Sequence, residues 1–445
     1  MASVVAGSST ESTAEVGDRA VPVTGDVADV TVVIPAWNER DNLDLLLPAL
    51  KEVLADLGLR AQIVVADGGS TDRTAETARR WGAQVVTQSE PGYGGALLAG
   101  FAAAVAPFVV TMDADLSHRP SFLEALWRHR HEAEILIASR YVPGGRADVG
   151  VVRRWLSIVL NRVYARALST PLRDLSSGFR MYRRDVLANL RVDSRGFDML
   201  EELLIRVDAE GWRIREIPFH YMSRGAGRSH VRLWQFGWAY LTTLARTWRF
   251  RNSVDAADYD YRAYDSPIWL QRYWQRARHR IVLDFVGNRE RVLDVGCGSS
   301  RIALDLPRAV GLDIRHNKLR WLSWRRSRLV RASCERLPFA DGTFGALIHS
   351  QVIEHLPDDP AILGECRRVL RPGGILVLGT PDYGRTLWSV LEWIHGQIMP
   401  GGYAHEHITR FTRRTLAARL ASLGFEVLDC RYVGGCEMIF KARKR

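Results

Sequence analysis

The chain has 445 residues, 47% of them hydrophobic and 25% charged, which is too long for a single ordinary hydrophobic core and points to two globular domains. No stretch reaches the roughly 18 uncharged apolar residues that a membrane-spanning helix needs, so a soluble or at most peripheral chain is expected. The formal charge of +11 suits nucleic acid, anionic lipid or phosphorylated substrates and selects none of them; arginine supplies almost all of it, with Lys51, Lys318, Lys441 and Lys444 as the lysines.

Residues 1–28 lack both a basic start and an apolar core, and they read as a disordered leader rather than a signal peptide. From Val30 to Ile34 a β-branched strand runs into Pro35. Glu39 to Leu57 then shows helical apolar spacing, with Leu45, Leu46 and Leu47 expected to face inward. Ile63 to Ala66 is the next strand, followed by a turn from Asp67 to Asp72 and a capped helix start, where Asp72 reads as a capping residue. Val85-Val86 and Phe108 to Met112 add strands, and this alternation predicts a mostly parallel sheet with ligands at the carboxyl ends of its strands.

Val231 to Phe250 is aromatic and apolar, with Trp234, Phe236, Trp238, Tyr240 and Trp248 flanked by Arg232, Arg246, Arg249 and Arg251. Its uncharged core, Leu233 to Ala245, is too short to span a bilayer. It reads either as an amphipathic helix in the membrane plane or as a helix packed on its own domain. Asn252 to Ser266, with four aspartates and three tyrosines, reads as a polar linker. The alternation then restarts with strands near Arg291–Val295, Ala309–Leu312, Gly345–His349 and Ile375–Leu378. All five cysteines lie in this second half, odd in number and without a CxxC pair, as expected of free thiols in a reducing cytoplasm.

Two strand ends carry the chemistry of the first half. Asp113-Ala114-Asp115 places two carboxylates where a metal-bound diphosphate can sit, because a departing nucleoside diphosphate needs its growing charge neutralised. Pro35-Ala36-Trp37-Asn38-Glu39 and Asp67-Gly68-Gly69-Ser70 end strands on the same rim. With these motifs in order (VVIPAWNERDNL, VVADGGSTDRTAE, TMDADLSHRP, IASRYVPGG, DLSSGFRMYRRDVL and EIPFHYMSRGAGRS) the segment from about Val30 to Arg232 resembles the family 2 glycosyltransferases of GT-A fold, and within them the polyprenol-phosphate (dolichol-phosphate) mannose synthases.

That resemblance implies that Pro35, Trp37, Glu39, Ala66 and Asp67 hold the base and ribose of the donor. It implies that Asp113, Ala114 and Asp115 meet the sugar and a Mg2+ or Mn2+ ion, with Ser117 as a further ligand, and that Arg140 and Arg224 lie over the diphosphate. Arg154 would grip the phosphate of a lipid acceptor, which is already anionic and attacks the anomeric carbon without a general base, giving an inverted, β-linked product. Arg180 and Glu202 read equally as ligands or as loop and helix anchors, and Gly144-Gly145 as a hinge in an acceptor loop. The family pattern ends in Ser-Lys where this chain has Ser229-His230, leaving Arg228 as the substitute cation.

In the second half, Asp294 to Gly298 forms a glycine turn leaving a strand, and Asp313 follows at the spacing of a ribose-binding carboxylate, which suits a dinucleotide or S-adenosylmethionine. The segments LPFADGTFGALIHSQVIEHL, RRVLRPGGILVLGTP and FTRRTLAARLASLGFEV resemble class I methyltransferases of the small-molecule type, over about Tyr259 to Arg443. The resemblance implies that Asp294, Gly296 and Gly298 cradle the methionine part of S-adenosylmethionine, Asp313 the ribose, and Ser333 and Cys334 the adenine edge. Ser333 stands where an aspartate is common and Ser300 where relatives have a third glycine. His349, His355, His405, Glu406 and His407 are candidate bases for the methyl acceptor. His405-Glu406-His407 lacks the HExxH spacing of a zinc helix, so no zinc is expected.

The expected architecture is therefore α/β throughout: a leader (1–28), a GT-A glycosyltransferase domain (29–232), an amphipathic helix and linker (233–258) and a Rossmann-like methyltransferase domain (259–445). The expected activity is transfer of a mannose-like sugar from a GDP-mannose-like nucleotide sugar to a polyprenyl phosphate, fused to S-adenosylmethionine-dependent methyl transfer. The alternatives are a soluble metabolite as the acceptor, or a C-terminal domain that is a non-catalytic scaffold. A cytoplasmic location with peripheral contact at the inner face of the membrane is expected; nucleic acid is not, since no recognition motif accompanies the charge.

Overall fold

The computed structural model describes residues 28–188, 190–222, 233–326, 328–398 and 407–445. Arg224, Arg228, Ser229, His230, His405 and Glu406, singled out above, lie outside the described residues.

The first half is built on β1 (Val30–Ala36), β2 (Ala61–Asp67), β3 (Gln84–Thr87), β4 (Phe108–Thr111), β5 (Ile135–Ser139), β6 (Arg146–Ala147), β7 (Arg180–Arg183), β8 (Ile214–Pro218) and β9 (His220–Tyr221). Seven of these form one sheet in the order β3-β2-β1-β4-β7-β5-β8, while β6 and β9 pair separately. All neighbours in the sheet are parallel except β7, which runs antiparallel to β4 and β5. Strand period two sends Val32 and Ile34 to one face and Val33 to the other, and both faces are buried under helices. On the first face lies the helix Arg40–Asp56, through Leu43, Leu46, Leu47, Leu50 and Leu54. Leu45 departs from the expected inward cluster and is 63% exposed. Successive helical residues are turned about 100° apart, so three in a row cannot share one buried stripe.

The second half repeats the logic with β10 (Val292–Val295), β11 (Val310–Asp313), β12 (Leu329–Arg331), β13 (Phe344–Ser350), β14 (Leu370–Pro381), β15 (Phe425–Val433) and β16 (Glu437–Lys444). The order is β12-β11-β10-β13-β14-β16-β15. Its first five strands are parallel, and β16 is antiparallel to both neighbours. In each sheet the first strand has its successor on one side and a later strand on the other, between β1 and β4 and between β10 and β13. Such reversal points open a crevice at the carboxyl ends of the strands.

The helix Leu233–Arg251 packs one face on the first half: Tyr240, Thr243, Thr247 and Arg251 are buried. Thr243 donates to Asp198 (2.6 Å), and Arg246 reaches Glu202 (2.6 Å). Its other face keeps Trp238 and Leu241 exposed, at 71% and 60%. Among the described residues no helix is long and apolar enough to cross a membrane.

The segment after this helix differs from the polar linker expected there. Val254, Ala256, Ala257 and Tyr259 are buried, and Ala257 N–H donates to the Ala209 carbonyl (2.7 Å). Buried Arg251 pairs with Asp208 (3.0 Å) and with Asp258. The aspartates that made the segment look solvated serve instead as counter-charges. Across the junction the Arg320 guanidinium lies 3.7 Å from the Trp212 ring centroid and donates to the Glu210 carbonyl (2.8 Å). The two halves are packed against each other.

Candidate active sites

Parallel register brings the first set of site residues to one rim. Ala36 is level with Asp67, and Val33 with Thr111, two residues before Asp113. The loops after β1 and β2 are knitted together: Asn38 N–H donates to Ser70 Oγ (2.8 Å), and Thr71 N–H to Asn38 Oδ1 (2.9 Å). Asn38 sits in the left-handed region (φ 56°), which an Asn tolerates because its short side chain bonds locally. Asp72 accepts from the N–H groups of Thr74 (3.0 Å) and Arg40 (3.1 Å), so its carboxylate serves two helix starts. Asp67 is buried and holds Ser70, whereas Trp37 stands out from the rim at 51% exposure. Pro35 and Ala66 are buried backbone positions, and Glu39 is half-buried, its Oε2 bonded to Asn42 (2.5 Å).

Asp113 and Asp115 leave β4 partly accessible. Asp113 Oδ1 accepts from Tyr93 OH (2.8 Å), while its backbone N–H donates to Nδ1 of buried His118 (2.9 Å). Gly178 permits this approach, since a Cβ there would lie 2.6 Å from the Tyr93 hydroxyl. Asp115 Oδ1 accepts from the Ser117 N–H (3.1 Å) and hydroxyl (2.5 Å), with Leu116 turned to φ 64° between them and Ala114 buried. Tyr93 and His118 anchor the first carboxylate, yet no spacing rule singled them out: Tyr93 starts a helix twenty residues earlier, and His118 looks like an ordinary loop residue.

The arginines separate. Arg140 is held by a bidentate pair with fully buried Asp174 (2.8 and 2.6 Å) and by the Ser176 hydroxyl (2.8 Å). Arg154 is exposed near the start of the helix Val151–Ala167, where Val151, Val152, Trp155 and Leu156 are also exposed. Arg180 and Glu202 are anchors: Arg180 is buried and donates to the carbonyls of Leu200 and Leu175, and Glu202 collects Asp193 N–H, Ser194 N–H, Arg206 and Arg246.

At the second crevice, Gly296 and Cys297 N–H both donate to the Leu312 carbonyl (2.8 and 3.0 Å), and Gly298 N–H to Asp313 Oδ2 (2.8 Å). Gly296 has φ 67°, and a Cβ on it would lie 2.3 Å from Val352, so only glycine fits this turn. A cavity of about 730 Å³ opens over it, lined by Asp294, Gly296, Gly298, Asp313, Ser333 and Cys334 together with His355 and His407. Burial pushes the Asp294 carboxyl up to about 7 and the Cys334 thiol up to about 11. All five cysteines are free thiols. Trp274, Trp388, Gln351 and Glu392 also line the cavity; they come from three separate segments, and of the four only Gln351 falls within a quoted motif.

His349 is a correction to the set of candidate bases. It lies on β13, is fully buried and does not line the cavity. Burial pushes its imidazole down from 6.5 to about 4. The unfolded chain therefore binds an extra proton below pH 6.5, and stability should fall by about 3 kcal/mol as pH drops from 6.5 to 4. Chemical denaturation against pH checks this: His349→Leu should flatten that slope, and an unchanged slope would refute the assignment.

Comparison with known proteins matches a different family model to each half. Residues 31–191 match the family model described as glycosyl transferase family 2, and residues 293–378 match a methyltransferase domain. An uncharacterized glycosyltransferase of Mycobacterium tuberculosis is 36% identical over 202 residues, covering 45% of this chain and 89% of the relative. A dolichol-phosphate mannosyltransferase of Pyrococcus furiosus is 31% identical over 236 residues, 51% of this chain and 65% of the relative. Among solved structures, glucosyl-3-phosphoglycerate synthase of M. tuberculosis aligns with TM-score 0.39 and 23% identity over 49% of this chain and 80% of its own. A SAM-dependent methyltransferase of Thermotoga maritima aligns with TM-score 0.36 and 19% identity over 41% of this chain and 94% of its own. Through its N-terminal half the chain belongs to glycosyltransferase family 2, and it is an enzyme that carries a methyltransferase domain C-terminal to that half.

Proposed function

We propose that the first crevice transfers a mannose-like sugar from a nucleoside diphosphate to a polyprenyl phosphate with inversion, and that the second transfers a methyl group from S-adenosylmethionine to a related product. The observation that carries the first reaction is the gathering of Trp37, Asp67, Asp113 and Asp115 on one rim. Pro35, Trp37, Glu39, Ala66 and Asp67 hold the base and ribose; Asp113, Ala114 and Asp115 face the sugar and diphosphate, with Ser117 orienting Asp115. The half-exposed carboxylates suit Mg2+ or Mn2+, which, when bound, neutralises charge on the departing diphosphate. Arg140, pre-positioned by Asp174, adds positive charge there; the same role is proposed for Arg224 from its motif alone. An acceptor phosphate oxygen bonds to the anomeric carbon as the nucleoside diphosphate leaves with the bonding pair.

A lipid acceptor is favoured by Arg154, a cation standing among exposed Val151, Val152, Trp155 and Leu156. That surface suits a phosphate carried on an apolar chain at the inner face of a membrane. In the second crevice Asp313 takes the ribose, Asp294, Gly296 and Gly298 the methionine end, and Ser333 with Cys334 the adenine edge. S-adenosylmethionine would supply the methyl group to a nucleophile held in the cavity, the sulfur of the departing S-adenosylhomocysteine keeping the bonding pair. We place the boundary between the domains near residue 259.

The test incubates the full chain with nucleotide sugars, polyprenyl phosphate or soluble phosphorylated acceptors, and labelled S-adenosylmethionine, and identifies products by mass. A sugar-bearing polyprenyl phosphate supports the reading. Sugar on the soluble acceptors alone would replace the lipid, and no binding of S-adenosylmethionine would leave the second domain a scaffold.

A further inference from the structure

The cavity-lining residues His355 and His407, with fully buried Glu354, form a group that no motif joined. We propose that Glu354, His355 and His407 bind one divalent transition-metal ion. One ligand atom of each lies within 4.8 Å of the others, the one such group of three among the described residues. Zinc-type bonds of about 2.0–2.2 Å put ligand atoms about 3–3.5 Å apart, so closing on an ion takes side-chain shifts of roughly an ångström.

Glu354 points to a cation independently of that spacing. Its side chain is fully buried, Oε2 accepts from Thr380 Oγ1 (3.1 Å), and Oε1 has no hydrogen-bond partner. A buried carboxylate oxygen without a donor is costly, and a coordinated cation satisfies it. The backbone holds the triad together. Ile408 and Thr409 N–H donate to the Glu354 carbonyl (2.8 and 3.1 Å), and Thr409 Oγ1 to the Leu356 carbonyl (2.5 Å). These bonds fix His407 against the Glu354-His355 pair, although more than fifty residues separate them. The Nδ1 of His407 lies 2.7 Å from Glu392 Oε1 and 2.8 Å from the Tyr383 hydroxyl. A carboxylate on one imidazole nitrogen orients the other toward a metal.

One carboxylate and two imidazoles suit Zn2+, Co2+, Mn2+ or Fe2+ rather than Ca2+ or Mg2+, which prefer all-oxygen sets. Three protein ligands leave positions open, as in catalytic rather than structural sites. His355 and His407 line the same cavity as Asp313, and Val352, two residues before Glu354, packs on Gly296. The open positions therefore take an oxygen of the methyl acceptor; this use rests on the methyl-transfer reading, whereas metal binding does not. Chain spacing argued against zinc because it considered only His405 to His407, and the missing partners come from the loop after β13.

The test uses the full chain carrying Asp113→Asn and Asp115→Asn, so that the first crevice does not compete, stripped with chelator and titrated with Co2+. One equivalent with visible ligand-field absorption is expected, weakened at least about 100-fold by His355→Ala or His407→Ala and about 10- to 100-fold by Glu392→Gln. Circular dichroism establishes that each variant is folded, and Glu392→Gln keeps the test decisive if a histidine variant is not. No bound Co2+, or binding unchanged in every folded variant, overturns the proposal. Calorimetry with S-adenosylmethionine on the same samples separates the readings: cofactor binding without Co2+ binding sinks the metal site alone, and Co2+ binding without cofactor binding supports the metal and sinks its use in methyl transfer.

Discussion

Asp115→Ala is expected to lower sugar transfer by about 10³-fold or more, because on the proposed reading its carboxylate holds the cation that neutralises the charge developing on the departing diphosphate. Asp115 leaves β4 with its Oδ1 already bonded to Ser117 N–H and Oγ, so the carboxylate is orientated before any ligand arrives. Fold stability should change little, since the side chain is partly accessible. Asp113→Ala should behave similarly and should also release Tyr93, whose hydroxyl donates to Asp113. The measurement is kcat/KM for sugar transfer at saturating Mn2+, with cofactor binding at the second crevice as an internal control. A variant that keeps more than a tenth of the rate would remove Asp115 from the site.

Asp313→Ala is expected to weaken S-adenosylmethionine binding by about 30-fold, near 2 kcal/mol, the usual worth of a hydrogen bond to a charged group. Two effects combine. The carboxylate proposed to bind the ribose is lost, and so is the acceptor of Gly298 N–H (2.8 Å) and Arg315 N–H (2.8 Å), which shapes the glycine turn. Asp313→Asn should cost less, because its side-chain oxygen can still accept one of these bonds. Calorimetric titration of both variants checks the ordering, and equal affinity in all three proteins would place the cofactor elsewhere.

Both crevices were legible in the sequence because their chemistry is local. A strand followed by Asp-Ala-Asp, or by Asp-Val-Gly-Cys-Gly, keeps its meaning wherever the chain goes, since the backbone leaving a parallel strand determines what its end presents. Fold class was legible for the same reason: alternating β-branched runs and amphipathic helices leave few arrangements other than two covered parallel sheets. Less legible were features that depend on a partner far along the chain. Val254, Ala256 and Ala257 looked like parts of a polar linker until Arg251 and Ala209 supplied their surroundings. Leu45 looked buried because a cluster of leucines hides the 100° turn between neighbours.

What the amino-acid order decided about this protein is thus the placement of two strand-end motifs and the family of the first half. Only folding in three dimensions decided which histidines meet. His349 and His355 are six residues apart, yet one is sealed in the core and the other faces the cavity, because strand and loop direct their side chains differently. His407 meets Glu354 and His355 through two backbone hydrogen bonds to a carbonyl more than fifty residues away. Side-chain chemistry can be read residue by residue, whereas coordination requires groups to converge within a few ångströms, and that convergence is a property of packing.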